Sequence, residues 1–169
     1  METVALRPSA PRSRCFSTSS APGSAASEVP AASSAAASET EGVPVIGYRA
    51  DAFPAFWSRN SGLPCPLRLD EAAVIARLWR TRRALQQDGG VLIANPVPEA
   101  DEIPAAEMEA HIARALTDAD AAGVKGKDVT PFLLSRILEL TDGASLTTNI
   151  ALVKNNARLA AEIAVALAD

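Results

Sequence analysis

Two short apolar runs, Val43 to Tyr48 (VPVIGY) and Gly90 to Ala94 (GVLIA), flank a single helix pattern and constrain the fold more than any other feature of the chain. Both runs are continuously apolar rather than alternating, the texture of strands buried on both faces of a parallel sheet. Parallel strands need a crossover, and the residues between them supply one. Ala73, Ile75, Ala76, Leu78, Trp79 and Leu85 recur near a 3.6-residue period. Asp70 stands where a helix cap belongs, Glu71 in the first turn, and Asp88-Gly89-Gly90 where the helix should stop. The unit is strand, crossover helix, strand, expected to be right-handed.

After the second strand every regular element reads as helix. Pro104 suits a first helical position, Glu107 to Ala122 carry helix formers, and Gly123 follows as a C-terminal cap. Thr130-Pro131 opens a second helix with a cap and an N1 proline; Phe132, Leu133, Leu134, Ile137, Leu138 and Leu140 are its apolar residues, and Gly143 closes it. Ser145 opens a third, running to about Ala168. The fold class is α/β: part of an α/β/α sandwich, with a short parallel sheet of about two strands followed by three helices. Two strands rarely make an independently stable sheet. The apolar faces of Val43 to Ile46 and Val91 to Ile93 are therefore expected to lack neighbours and to favour aggregation.

Residues 1–42 differ from the rest. They hold ten Ala and ten Ser but one aromatic residue, Phe16, and no Lys, too little apolar surface to offset the entropy of ordering, so a disordered leader is expected. Arg7, Arg12 and Arg14, with Arg14 two residues before Phe16, suit either an organelle transit peptide or a plain low-complexity tail. The domain proper is expected over 43–169. Its 48% apolar and 21% charged residues match a globular protein able to bury a core. A net charge of −4 gives no basic excess to grip nucleic acid, and no run approaches the roughly 20 apolar residues of a membrane span. The expected setting is intracellular, cytoplasmic or mitochondrial. Cys15, Cys65 and the single His111 assemble neither a zinc site nor a disulfide framework.

Few side chains offer chemistry on their own. His111 lies within a helix pattern beside Glu107 and Arg114, a solvated face. Glu99, Asp101 and Glu102 precede a helix, where negative charge is favourable without any metal. Gly123-Val124-Lys125-Gly126-Lys127 lacks the strand and spacing of a phosphate loop and reads as an exposed turn. Asp51 to Pro66 gathers Phe53, Phe56 and Trp57 with Arg59, Asn60 and Ser61 beyond the end of the first strand, where open α/β sheets bind ligands. There Arg59 either meets an anion or lies over the aromatics. Asn95, after the second strand, either lines the same crevice or holds the turn at Pro96. Asn149 and Asn156, seven apart, share a face of the last helix, with Lys154 and Asn155 pointing elsewhere. Asparagine is a poor helix former, so the pair suits either recognition of an amide-bearing base or bonding between helices.

Together VPVIGY, FPAFWSRNSG, PLRLD, GGVLIANPVPE, IPAAEMEAHI, GKDVTPFLLSRILELT and SLTTNIALVKNNARLAAEIA strongly resemble the C-terminal part of the pseudouridine-5'-phosphate glycosidase family, also called indigoidine synthase A-like. The resemblance covers about 43 to 168. It implies reversible cleavage of the C–C glycosidic bond of pseudouridine 5'-phosphate to uracil and ribose 5-phosphate, dependence on Mn, and a homotrimer. It also implies a lysine that forms an imine with the opened ribose, a proton-transferring glutamate and a metal-holding aspartate, all upstream of VPVIGY. Here SEVPAASSAAASETEG occupies that upstream stretch, and the first lysine is Lys125. The chain is therefore expected to be truncated, to hold no catalytic residue or metal ligand, and to be inactive alone. The alternative is a non-catalytic module or pseudoenzyme that joins a full-length or complementary chain. Asn149, in the S-x-x-N-I stretch, is the substrate-pocket residue the resemblance implies. Arg59, Asn95, Thr130 and Asn156 lie in matching motifs as further candidates for substrate binding.

Overall fold

The computed structural model describes the backbone of residues 4–6 and all of residues 43–169. The leader expected over the remaining residues up to 42 lies outside the described residues. Four strands form one sheet: β1 (Val4–Leu6), β2 (Val45–Tyr48), β3 (Leu67–Leu69) and β4 (Val91–Ala94), in the order β1-β4-β2-β3. β2 runs parallel to both β4 and β3, with Ile46 opposite Ile93 and Leu67. β1 lies antiparallel on β4, Val4 opposite Ile93.

The sheet thus has more than the two expected strands, and residues 4–6 are strand where a disordered leader was expected. Both additions are three residues long and sit at the edges. An edge presents unpaired N–H and C=O groups, so even a short segment gains hydrogen bonds by docking there. The two runs read from the sequence are the central pair.

The helices are α1 (Ala72–Ala84), α2 (Ala105–Ala121), α3 (Val129–Leu140) and α4 (Ala144–Ala168). One sheet face carries Ile46, Tyr48, Val91 and Ile93, sealed by Ile75 of α1 and by Leu159 and Ile163 of α4. The opposite face carries Val45 and Ala94 and is covered by Phe53, with Leu63 and Cys65 packed alongside. The expectation that these strands lack neighbours is overturned: Val45, Ile46, Val91 and Ile93 are each at most 2% exposed. The far half of α4 and the loop from 51 to 65 supply the missing cover. α2 and α3 form a separate pair around Met108, Ala115 and Ile137, with Trp57 packed against it.

Several helix ends depart from expectation. Asp70 does not cap α1; Glu71 holds that position without a side-chain cap bond, because Asp70 Oδ1 accepts from Arg68 Nε at 2.8 Å. α1 stops at Ala84, ahead of Asp88-Gly89-Gly90, with Gln86 in the left-handed region at φ 56. Thr130 is not a cap either. α3 begins two residues earlier than expected, at Val129 behind Asp128, which leaves Pro131 in the first turn, where its missing N–H is harmless.

Gly47 sits in the middle of β2, where a Cβ would run into the Ala50 carbonyl oxygen and come within 2.8 Å of Cys65 Sγ. Backbone cannot yield cheaply in a strand paired on both sides. Gly47→Ala is expected to cost about 1–3 kcal/mol by overpacking. Urea unfolding checks this, and a midpoint unchanged from the parent would contradict it.

The α2–α3 pair is tied by Arg136 Nε, 2.7 Å from Asp118 Oδ2, with Arg114 beside the same carboxylate. The Arg136 hydrogen bond chiefly holds the Asp118 carboxyl below the usual carboxylate range. A carboxyl whose folded pKa is depressed stabilises the fold above its ordinary pKa and ceases to as pH falls through the lowered value. Asp118→Asn should therefore lower the melting temperature slightly at pH 7, with the difference closing on acidification below the ordinary carboxylate range. Exposed pairs are weak, so a difference that persisted into strong acid would rule out the ionic origin.

Candidate active-site cavity

The aromatic loop is built around a tight reversal. Ala55 and Ser58 exchange both backbone hydrogen bonds, which puts Phe56 at φ 24 at the tip. Phe56 and Trp57 meet edge to face, centroids 4.6 Å apart. The loop is pinned on two sides. Trp57 Nε1–H donates to the Ser145 carbonyl at 3.1 Å, and the Ser58 hydroxyl donates to the Ile103 carbonyl at 2.7 Å in a buried contact. The Arg59 guanidinium donates to the Val97 carbonyl at 2.6 Å, while its backbone N–H donates to Glu102 Oε1 at 2.7 Å. Arg59 is thus engaged with the strand-exit loop, not laid over the aromatics.

Between this loop and the helices lies a cavity of about 330 Å³, lined by Phe56, Trp57, Leu138, Ser145, Leu146 and Asn149 among others. That is the size of a small-ligand site: apolar and aromatic walls with a few polar groups. Asn149 reaches it from the second turn of α4, a helix that starts from Gly143 at φ 84. Among the described residues, two side-chain atoms are buried with no hydrogen-bond partner: Arg82 Nε, on α1, and Asn149 Oδ1. A buried carbonyl oxygen left unpaired costs about 1–3 kcal/mol. Asn149 itself is part of the cavity wall.

The other asparagines do different work. Asn95 Nδ2 donates to Asn156 Oδ1 at 2.9 Å, both side chains buried, and Asn155 Nδ2 donates to the Pro96 carbonyl at 3.0 Å. These bonds join the exit of β4 to the middle of α4. Thr148 adds a third tie, its hydroxyl donating to the Asp101 carbonyl at 2.7 Å. Asn95, Asn156 and Arg59 are not in the wall of this cavity, and Thr130 is exposed on α3. The sequence singled out Asn149 and the aromatics; it held no sign that Ser145, twelve residues past Leu133, would anchor Trp57.

The remaining groups read as expected or are placed without a role. Gly126–Asp128 is an exposed 3₁₀ turn within the lysine-bearing segment. Glu99–Asp101 is another 3₁₀ turn, and His111 is half-buried on α2. Among the described residues no three His, Cys, Asp or Glu side chains converge as a metal site. No helix among them is long and apolar enough to cross a membrane. Burial, aided by the charge of Asp51, pushes the Cys65 thiol up.

Comparison with known proteins decides the family. The description "Indigoidine synthase A like protein" matches residues 32–166. The chain belongs to the indigoidine synthase A-like family. Within it, a pseudouridine-5'-phosphate glycosidase of Methylobacterium nodulans is 70% identical over 129 residues, covering 76% of this chain and 38% of that protein. A second, from Rhizobium johnstonii, is 62% identical over 127 residues, covering 75% and 40%. Among solved structures, a prealnumycin C-glycosynthase in complex with ribulose 5-phosphate superposes with a TM-score of 0.69 at 35% identity, covering 76% of this chain and 42% of that one. An indigoidine synthase A-like protein of Thermotoga maritima gives 0.67 at 37% identity, covering 78% and 43%. The chain spans about two fifths of the length of these family members.

Proposed function

We propose that the cavity between Trp57 and Asn149 is the base-recognition part of a pseudouridine-5'-phosphate glycosidase site. One observation carries the reading: Asn149, whose Oδ1 is buried without a hydrogen-bond partner, lines a cavity walled by Phe56 and Trp57. Uracil is a flat ring with N–H donors at its edge. Stacking on an aromatic wall while an N–H meets Asn149 Oδ1 satisfies both demands of the cavity. The family members named as glycosidases of pseudouridine 5'-phosphate supply the substrate.

The chain's own residues bind and orient. Phe56, Trp57 and Leu146 exclude water from one side of the base. The Arg59, Ser58 and Trp57 bonds fix the aromatic wall, and the Asn95–Asn156 and Asn155–Pro96 bonds hold the helix bearing Asn149. Breaking the C–C bond takes more than this: an amine nucleophile must reach C1 of the sugar. The three lysines, Lys125, Lys127 and Lys154, are all exposed and outside the cavity wall. We therefore read this chain as binding the base without cleaving the nucleotide by itself, which also favours the non-catalytic alternative. Manganese and the trimer belong to the same proposal at the level of the family, with no ligand assigned here.

Trp57 reports on the cavity, with Trp79, packed against the sheet core, as a constant background. Uracil and pseudouridine 5'-phosphate should each quench the fluorescence saturably, while adding the nucleotide with Mn should release no uracil. Absence of saturable quenching would sink base recognition. Uracil release would instead show that the chain carries a nucleophile these residues do not reveal.

A further inference from the structure

α4 has two apolar faces, and among the described residues only one of them is covered. Leu152, Leu159 and Ile163 turn into the core. About a third of the way round the helix, Leu146, Ile150, Val153, Ala157, Ala161 and Ala164 form a second stripe, all exposed. Leu146, Ile150 and Val153 keep 49%, 45% and 43% of their surface in water. The charged residues of the helix, Lys154, Arg158 and Glu162, stand apart at four-residue spacing. A solvated helix face carries charge, so an uninterrupted apolar stripe over some five turns marks a packing surface. Alanines in its lower half let a neighbour approach closely.

The upper end of the stripe runs into the cavity. Leu146 lines both, and Leu134 of α3, 48% exposed, stands across the rim. Whatever covers the stripe also closes the mouth above Asn149. The relatives indicate the occupant: 127 to 129 residues of this chain match them, yet these make up only 38% and 40% of their length. We propose that the α4 stripe is the seat of the part of the family domain that this chain does not span, so that the docked part roofs the cavity.

The test compares the stripe in two proteins: this chain, and a chimera in which its 129 matched residues replace those of the Methylobacterium nodulans relative. Ile150→Lys and Val153→Lys should shift the melting temperature of this chain by less than about 2 °C, as exposed sites do. In the chimera each should lower it by more than about 5 °C with the oligomeric state unchanged, because the lysine would be buried against the docked part. Ile150→Thr keeps the comparison readable where the lysine variants do not fold, and Glu162→Lys should be silent in both. Equal small shifts in the two proteins overturn the proposal. So does loss of a chimera oligomer or of self-association by this chain on mutating the stripe, either of which assigns the surface to a second copy. Stability and mass are the readouts, so this inference and base recognition can fail separately.

Discussion

Asn149→Leu is expected to make the protein more stable and a poorer binder of uracil at the same time. The side chains are similar in volume, so the cavity wall stays filled, but the unpaired buried oxygen disappears. Removing an unsatisfied polar group should return part of its cost, a gain of about 1 kcal/mol or more in unfolding free energy. Binding should move the other way. Without an acceptor the base N–H is desolvated unpaired, a loss of about 1–3 kcal/mol, or roughly 5- to 150-fold in Kd. Asn155→Ala is the internal contrast. Asn155 turns away from the cavity but is not idle, since it holds the Pro96 carbonyl. That change should cost about 0.5–1.5 kcal/mol of stability and leave uracil binding alone. Opposite signs in the two variants distinguish a recognition group from a structural one. If Asn149→Leu destabilised the protein, the oxygen would have a structural role and the base-recognition reading would fall.

Such a trade belongs to binding sites, where local cost is carried by surrounding structure. The costs here cluster in one neighbourhood: Phe56 at φ 24 and the unpaired oxygen of Asn149 both border the cavity. The ties around them are correspondingly redundant, with the aromatic loop pinned through Trp57, Ser58 and Arg59.

How far the sequence could be read depended on the range of the interaction responsible. The central strands and four helices follow from periodicity and continuous apolar runs, which are local. Asp70 shows a local signal losing: it is a good cap in isolation, but Arg68 two residues earlier competes for its carboxylate. Leu67–Leu69 carries no strand signal, since it is an edge with an exposed Arg68 between its two leucines, and only β2 beside it makes it a strand. The site divides likewise. Asn149 and the aromatics stood out by residue type and motif. The pairing of Asn95 with Asn156, 61 residues on, and of Ser58 with Ile103, 45 on, depends on how α4 and the loops lie across the sheet. Such contacts have no local signature.

Ile163→Ala should be the most destabilising simple truncation on α4, and it tests whether this short sheet is sealed. Ile163 is fully buried, packed in one cluster with Ile46, Tyr48, Ile75, Val91, Ile93 and Leu159. Truncation removes apolar burial and leaves a cavity that four elements would have to shift together to fill. The expected loss is about 2–5 kcal/mol, a large share of the roughly 5–15 kcal/mol that holds a domain of ordinary stability. Val165, two residues on and 63% exposed, is the matched control. There alanine removes little buried surface and improves helix propensity, so the change should stay within about 0.5 kcal/mol. In urea the Ile163→Ala midpoint should fall with an unchanged slope, since the surface exposed on unfolding is nearly the same. This outcome requires the parent chain to unfold cooperatively. A broad, shallow transition, with both variants equally small in effect, would mean that α4 does not close the sheet and that the strand faces are as short of neighbours as two runs alone would leave them.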